Sequence, residues 1–188
     1  MESYVSLPEL AGEEYVLTRA TARRFFEEEV APHYAGWEKR GYVDRELWQK
    51  AGSQGLLCTM VPEEYGGIGG NFLHAMIVVE ELARSECALP GFFTHSDIIV
   101  PYIARLGTDA QKKQWLPGCV SGEVITSIAI TEPGAGSDMK GVRLRARKDG
   151  DDWILNGQKT FITNGWLADL IIVVANTSPD TGSKSKSL

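Results

Sequence analysis

The feature that most constrains this chain is a change of hydrophobic period near Ser121. Before it, apolar residues recur at helical spacing; after it, they alternate with a period of two. Segregated periods predict an α+β protein: an N-terminal all-α domain over residues 1–121, then a β-domain over residues 122–188.

In the first part, Val16, Ala20, Ala22, Phe25, Phe26 and Val30 form an apolar stripe interleaved with Arg23, Glu27 and Glu28, stopped near Pro32. Asp44 predicts an N-cap for a helix carrying Leu47, Trp48 and Ala51, with Gly55 near its end. Asn71 predicts another cap, before Ala75, Val79, Leu82 and Ala83. A helix over 96–106 follows, with Pro101 in its first turns and Gly107 at its close; Thr108 to Gln111 then matches a capping box for a short helix through Trp115.

Beyond Ser121, Val142, Leu144 and Ala146 alternate with Arg143, Arg145 and Arg147, as a half-exposed strand does. Asp149-Gly150, Asn156-Gly157 and Asn164-Gly165 punctuate the segments that follow and predict hairpin turns around strands at 153–155 and 160–163. Leu170 to Ala175 is a continuous apolar strand. Residues 176–188, rich in Ser, Gly and Lys, read as flexible. Four or five strands ending so leave sheet edges unaccounted for, and the chain is expected to be cut within a domain.

Composition removes several functions. A net charge of −6 argues against phosphate-neutralising nucleic-acid binding. No apolar run approaches the ~20 residues of a membrane helix. The first ten residues resemble neither a secretory signal nor an organellar leader, so a soluble intracellular protein is expected. Cys58, Cys87 and Cys119 are odd in number and widely spaced, which predicts buried free thiols in a reducing compartment. His33, His74 and His95 are scattered, so no metal site is expected. Gly67-Ile68-Gly69 and Gly134-Ala135-Gly136 lack the third glycine of a dinucleotide-binding turn. The glycines of 65–70 could approach a ligand or simply form a loop between helices.

One stretch stands apart. Ile128-Ala129-Ile130-Thr131 runs as an apolar strand into Glu132-Pro133-Gly134-Ala135-Gly136-Ser137-Asp138. Such a turn can present free amides and hydroxyls to an anionic or carbonyl-rich ligand without a lysine; a rigid loop closing a barrel is the plainer alternative.

Residues 130–138, with Asp152 to Lys159 and Phe161 to Gly165 at the right spacing, resemble the flavin-binding signature of the acyl-CoA dehydrogenase family. Pro62 to Gly67 matches another hallmark of that family. The resemblance covers nearly the whole chain and is nearest to the long-chain members through 24–30, 37–43 and 46–48. It implies a helical domain, an antiparallel β-barrel domain, incomplete here, and an absent C-terminal helical bundle, assembled as a homodimer or homotetramer.

The resemblance further implies FAD as cofactor, held by Ile128, Ala129, Ile130, Thr131, Gly136, Ser137, Phe161, Ile162 and Thr163. Thr131 would meet the pyrimidine side of the isoalloxazine and Thr163 its N5, while Ser137 would also touch the acyl-CoA substrate. Many relatives carry Trp at the Phe161 position, and several an aromatic residue at Ile128, which implies retuned contacts. The helix over 96–106 would line the acyl channel.

The implied reaction is α,β-dehydrogenation of an acyl-CoA to the trans-2-enoyl-CoA, with electrons leaving to an electron-transfer flavoprotein. None of Glu63, Glu64, Glu80, Glu81 or Glu132 matches the family's catalytic glutamate, so the 188-residue piece is expected to lack activity. The compartment implied is bacterial cytoplasm, or the mitochondrial matrix for a processed form. Two alternatives stay open: a flavin dehydrogenase or oxidase of another acyl-CoA class, and a non-catalytic acyl-CoA-binding module.

Overall fold

Helix α1 (Glu13–Phe25) carries Glu13 and Glu14 in its first turn and Arg23 and Arg24 in its last, matching its dipole at both ends. The computed structural model describes residues 11–87 and 90–177. The readings made for the first ten residues and for the tail beyond Thr177 therefore lie outside the described residues. After α1 the helix continues through one π turn, Phe26–Val30. Its buried face is Tyr15, Ala22, Phe25, Phe26 and Val30; Val16 and Ala20, expected in the stripe, face outward. The reason is electrostatic. Arg19 and Arg23 sit on the inner face, bonded to Glu80 and Glu81 at 2.6–3.0 Å, so α1 docks through charge as well as apolar area.

Helix α2 (Tyr34–Arg40) was not anticipated; it buries only Trp37 and ends at left-handed Gly41. Helix α3 (Arg45–Ser53) follows Asp44 as expected, but that carboxylate does not cap it. It accepts instead from Trp37 Nε1 at 2.8 Å and Arg40 at 2.6 Å. Helix α4 (Phe72–Arg84) has a full capping box between Asn71 and His74. A second π turn, Thr94–Ile99, leads into α5 (Val100–Leu106), with Pro101 in its first turn. Helix α6 (Asp109–Ser121), capped by Thr108 and Gln111, runs past Trp115 and holds Pro117 within it. The C-terminal ends of α3 and α6 meet backbone to backbone: a Cβ on Gly52 would lie 2.4 Å from Ser121, and one on Gly122 would lie 2.2 Å from the Trp48 carbonyl. Between the helices, Trp48 packs edge-on against Phe92 (centroids 4.8 Å apart) beside Phe25 and Phe26.

The β part holds two pairs of strands. Strands β2 (Arg145–Asp149) and β3 (Asp152–Asn156) form the antiparallel hairpin expected around Asp149-Gly150. Strands β1 (Thr126–Ala129) and β4 (Leu170–Val173) pair in parallel, which corrects the wholly antiparallel expectation. Forty residues separate the two strands, and a crossover of that length brings β4 back in the direction of β1. The pairs are joined through Asn176, which exchanges bonds with Leu144 and Ala146, and the sheet is not closed into a barrel. No strand forms at 160–163, and Asn156-Gly157 and Asn164-Gly165 close no hairpin; Phe161 and Asn164 instead take positive φ, incompatible with a ladder.

Arg45 and His95 are prominent links between the helical and β parts. Arg45 at the start of α3 donates to the carbonyls of Leu167 and Glu123 (2.9 Å each) and to Asp169 at 2.6 Å. His95, in the second π turn, is fully buried against β1. Its Nδ1 accepts from the Thr126 amide at 3.1 Å, so the proton resides on Nε2 and is donated to the Cys119 carbonyl at 3.0 Å. The three cysteines are free and buried, as expected, and burial raises the Cys58 thiol well above its ordinary range.

Candidate functional site

Segments 126–138 and 159–165 come together as two adjoining walls, the first running from β1 into irregular backbone and the second irregular throughout. Hydrogen bonds to backbone carbonyls tie them together. Ser127 Oγ donates to the Thr163 carbonyl at 2.6 Å, the Thr160 amide to the Thr131 carbonyl at 2.9 Å, and Lys159 Nζ to the Ile130 carbonyl at 2.7 Å. The turn at Pro133-Gly134 is closed by a reciprocal pair of backbone bonds between Glu132 and Ala135, at 2.9 and 3.1 Å.

Glu132 is the anchor of the first wall. Its carboxylate accepts the Arg143 and Leu144 amides at 2.8 Å each, together with Lys159 Nζ at 3.0 Å. Burial works against its charge, but the two amides and the ammonium outweigh burial and hold the carboxyl below its ordinary range. Glu80 and Glu81 are similarly engaged by Arg19 and Arg23. These carboxylates hold the fold and are not free to abstract a proton.

Among the expected site residues, Ala129 is enclosed and its carbonyl accepts the Val174 amide. Ile128, Ile130 and Thr131 are half-buried, whereas Gly136, Ser137, Phe161 and Thr163 are exposed. Neither the amide nor the hydroxyl of Thr131 has a partner among the described residues, and the same holds for the Gly136 amide and the Ser137 hydroxyl. Phe161 is 91% exposed and Trp166 85%, a large apolar area for a chain to leave open. A groove of about 660 Å³ runs alongside, lined by Ile162, Thr163 and Trp166 on the β side and by Leu82, Gly91 and Phe93 on the helical side. Thr131 does not line it. Helix α5 borders a separate groove of about 260 Å³ with Trp115 and Ile172. In the glycine loop 66–70, a Cβ on Gly67 would lie 1.9 Å from the Val61 carbonyl and one on Gly70 2.9 Å from the Thr59 carbonyl, so these two pack against the loop's own backbone, while Gly66 faces open space.

Several residues that shape the site escaped sequence reasoning. Ser127 and Lys159 clamp the walls. Asn164, at φ 62°, approaches the carbonyls of Gly91 and Thr126, and Gly91 lies where a Cβ would meet Asn164 Oδ1 at 2.8 Å. Ser127, Lys159 and Asn164 each stand beside another polar residue (Thr126, Gln158 and Thr160, and Thr163 respectively), so the sequence carries no signal that singles them out.

The residues fit a flat, acceptor-rich and anionic group such as FAD. Unpartnered donors gather on one segment, and at Gly134 and Gly136 a Cβ would meet open space without a strained φ. The chain's own packing therefore does not demand glycine there, whereas close approach of a ligand would. Among the described residues no group of His, Cys, Asp or Glu could hold a metal ion, and no helix is long and apolar enough to cross a membrane.

The model of the acyl-CoA dehydrogenase N-terminal domain matches residues 12–123, and that of the middle domain matches residues 127–188. The mitochondrial long-chain specific acyl-CoA dehydrogenase of Sus scrofa is 54% identical over 179 residues, 95% of this chain and 42% of that protein. An acyl-CoA dehydrogenase structure from Geobacillus kaustophilus superposes with a TM-score of 0.89 at 48% identity, covering 97% of this chain and 47% of that one. An acyl-CoA dehydrogenase from Bacillus anthracis, solved in complex with FAD, superposes with a TM-score of 0.84 at 34% identity, covering 93% of this chain and 30% of that one. The chain spans about two-fifths of the length of the curated relatives it matches.

Proposed function

This chain belongs to the acyl-CoA dehydrogenase family, and on that premise we propose that the whole protein converts a long-chain fatty acyl-CoA to its trans-2-enoyl-CoA with FAD, within fatty-acid β-oxidation. One observation carries the reading. Thr131 and Thr163 stand on walls bonded to each other, and the Thr131 donors are unspent beside glycines that leave open space. FAD, when bound, supplies the two-electron acceptor. The chain's part is to hold and tune it: segment 128–131 and residues 161–163 flank the ring, while Gly136 and Ser137 meet its anionic portion, Ser137 also reaching the acyl-CoA. Donors on the Thr131 amide and hydroxyl favour a pyrimidine edge that gains negative charge on reduction. The groove between Phe93 and Thr163 takes the acyl chain, its apolar walls matching a fatty chain.

The catalytic base lies on another part of the whole protein, since Glu80, Glu81 and Glu132 are held in ion pairs. An electron-transfer flavoprotein receives the electrons, and a homodimer or homotetramer is the working assembly. A boundary at 121/122, where α6 ends, separates the two domains. Bacterial cytoplasm or the mitochondrial matrix is the compartment. The test is to purify the full-length protein, look for flavin absorbance, and titrate it with palmitoyl-CoA. Bleaching of that absorbance with formation of enoyl-CoA is expected; a colourless protein that takes up no FAD refutes the reading.

A further inference from the structure

We propose that Lys159, paired with Glu132, is a positioning residue that aims and polarises the Ile130–Thr131 peptide toward the ligand; this rests on the flavin reading above. A trans peptide points its C=O and N–H in opposite directions. Lys159 Nζ holds the Ile130 carbonyl at 2.7 Å, so the Thr131 amide of that same peptide is turned the other way, where no group among the described residues meets it. The next peptide is also held, because the Thr131 carbonyl accepts the Thr160 amide at 2.9 Å. Thr131 is thereby pinned on both sides with its donors outward. A cation on a peptide oxygen also draws density from the nitrogen, which makes the N–H a stronger donor.

The pair is built for this task rather than for the surface. The Lys159 side chain is 8% exposed and that of Glu132 7%, and the carboxylate is further bound by the Arg143 and Leu144 amides. Glu132 thus fixes the ammonium in place and balances its charge. A buried, hydrogen-bonded pair of this kind contributes little net stability compared with apolar packing, and its use lies in specifying geometry.

The experiment uses the full-length protein with FAD and reads the flavin reduction potential and FAD dissociation constant alongside stability. In Lys159→Met the potential is expected to fall and FAD binding to weaken about tenfold, the loss of roughly one hydrogen bond. Lys159→Arg, which keeps a donor for the Ile130 carbonyl, restores both. Leu116→Ala, in the helical core, lowers stability without moving the potential, as a purely structural change should. The double variant Lys159→Met with Glu132→Gln removes both charges; its potential stays low if orientation is the cause, and a return to the wild-type value overturns the proposal. Should Lys159→Met not fold, Glu132→Gln carries the same expected fall in potential. A flavin-bearing variant with wild-type potential and affinity overturns the clasp alone, whereas a wild type that takes up no FAD overturns the functional reading with it.

Discussion

Replacing His95 by leucine tests whether one neutral imidazole joins the helical part to β1. The substitution keeps apolar volume but leaves the buried Thr126 amide and Cys119 carbonyl without partners. Each orphaned group costs about 1–3 kcal/mol, so a loss of about 4 kcal/mol is expected, a large share of the ~5–15 kcal/mol that stabilises a typical domain. His95→Asn keeps an acceptor for Thr126 but cannot reach Cys119, and should cost about half as much. Urea unfolding followed by tryptophan fluorescence measures both, since Trp48 packs edge-on against the His95 ring at 5.2 Å.

The pH dependence sharpens this test. Burial lowers the His95 pKa from 6.5 to about 4, against the opposing pull of the Cys119 carbonyl. Between those values the unfolded chain binds the proton more tightly, so the His95 contribution is complete above pH 6.5 and is lost as pH falls toward 4, by about 3 kcal/mol. Asp97, two residues away, titrates in the same window with the opposite sign, because burial raises its pKa from 3.8 to about 6. The wild-type profile mixes the two. The difference between wild type and His95→Leu cancels the aspartate and isolates the histidine. That difference should shrink from about 4 kcal/mol at pH 7 to about 1 kcal/mol near pH 4. A difference that stays constant across this range refutes the buried, neutral histidine.

Other substitutions separate folding from binding. Gly134→Ala and Gly136→Ala meet open space and should change stability by no more than about 0.5 kcal/mol while weakening FAD uptake, whereas Gly67→Ala, placed against the Val61 carbonyl, should cost about 3 kcal/mol; thermal melts and flavin titration distinguish them. Glu81→Gln disrupts the buried carboxylate shared by Arg19 and Arg23 and should cost about 2 kcal/mol by urea unfolding, less than a fully buried pair because both arginines are partly exposed. Ser127→Ala removes the 2.6 Å bond to the Thr163 carbonyl and should cost about 1 kcal/mol in the same assay.

The elements read correctly from sequence are those whose signals are local. Asn71 announced α4 as an N-cap and Thr108 announced α6 by a capping box, because both signals are complete within four residues. Asp149-Gly150 announced its hairpin because alternating segments flank it on both sides. Signals failed where distant partners decide. Val16 and Ala20 carry helical spacing, yet α1 turns toward Glu80 and Glu81 some sixty residues away. Helix α2 buries a single residue, Trp37, and so has no period to read. Asn164-Gly165 has a turn's composition, but Asn164 takes the left-handed conformation within a loop that approaches Gly91 and Thr126.

The site is a stronger case of the same physics. Its motif could be found because Thr131 to Ser137 is rich in residues with small side chains, which leaves backbone donors accessible. Its shape could not, because beyond the short β1–β4 ladder the walls are irregular backbone and are tied by single side-chain bonds. Lys159 reaches across to Ile130, Ser127 to Thr163, and His95 to Thr126, over separations of 29, 36 and 31 residues. Bonds of that span leave no periodicity in the sequence, and Lys159, Ser127 and His95 each stand beside other polar residues that do not mark them out. Such a residue, once buried, must find partners or destabilise the fold, and the partners it finds here are backbone groups of the walls. A few buried polar side chains with distant backbone partners therefore determine the geometry on which any ligand contact at Thr131 and Thr163 depends.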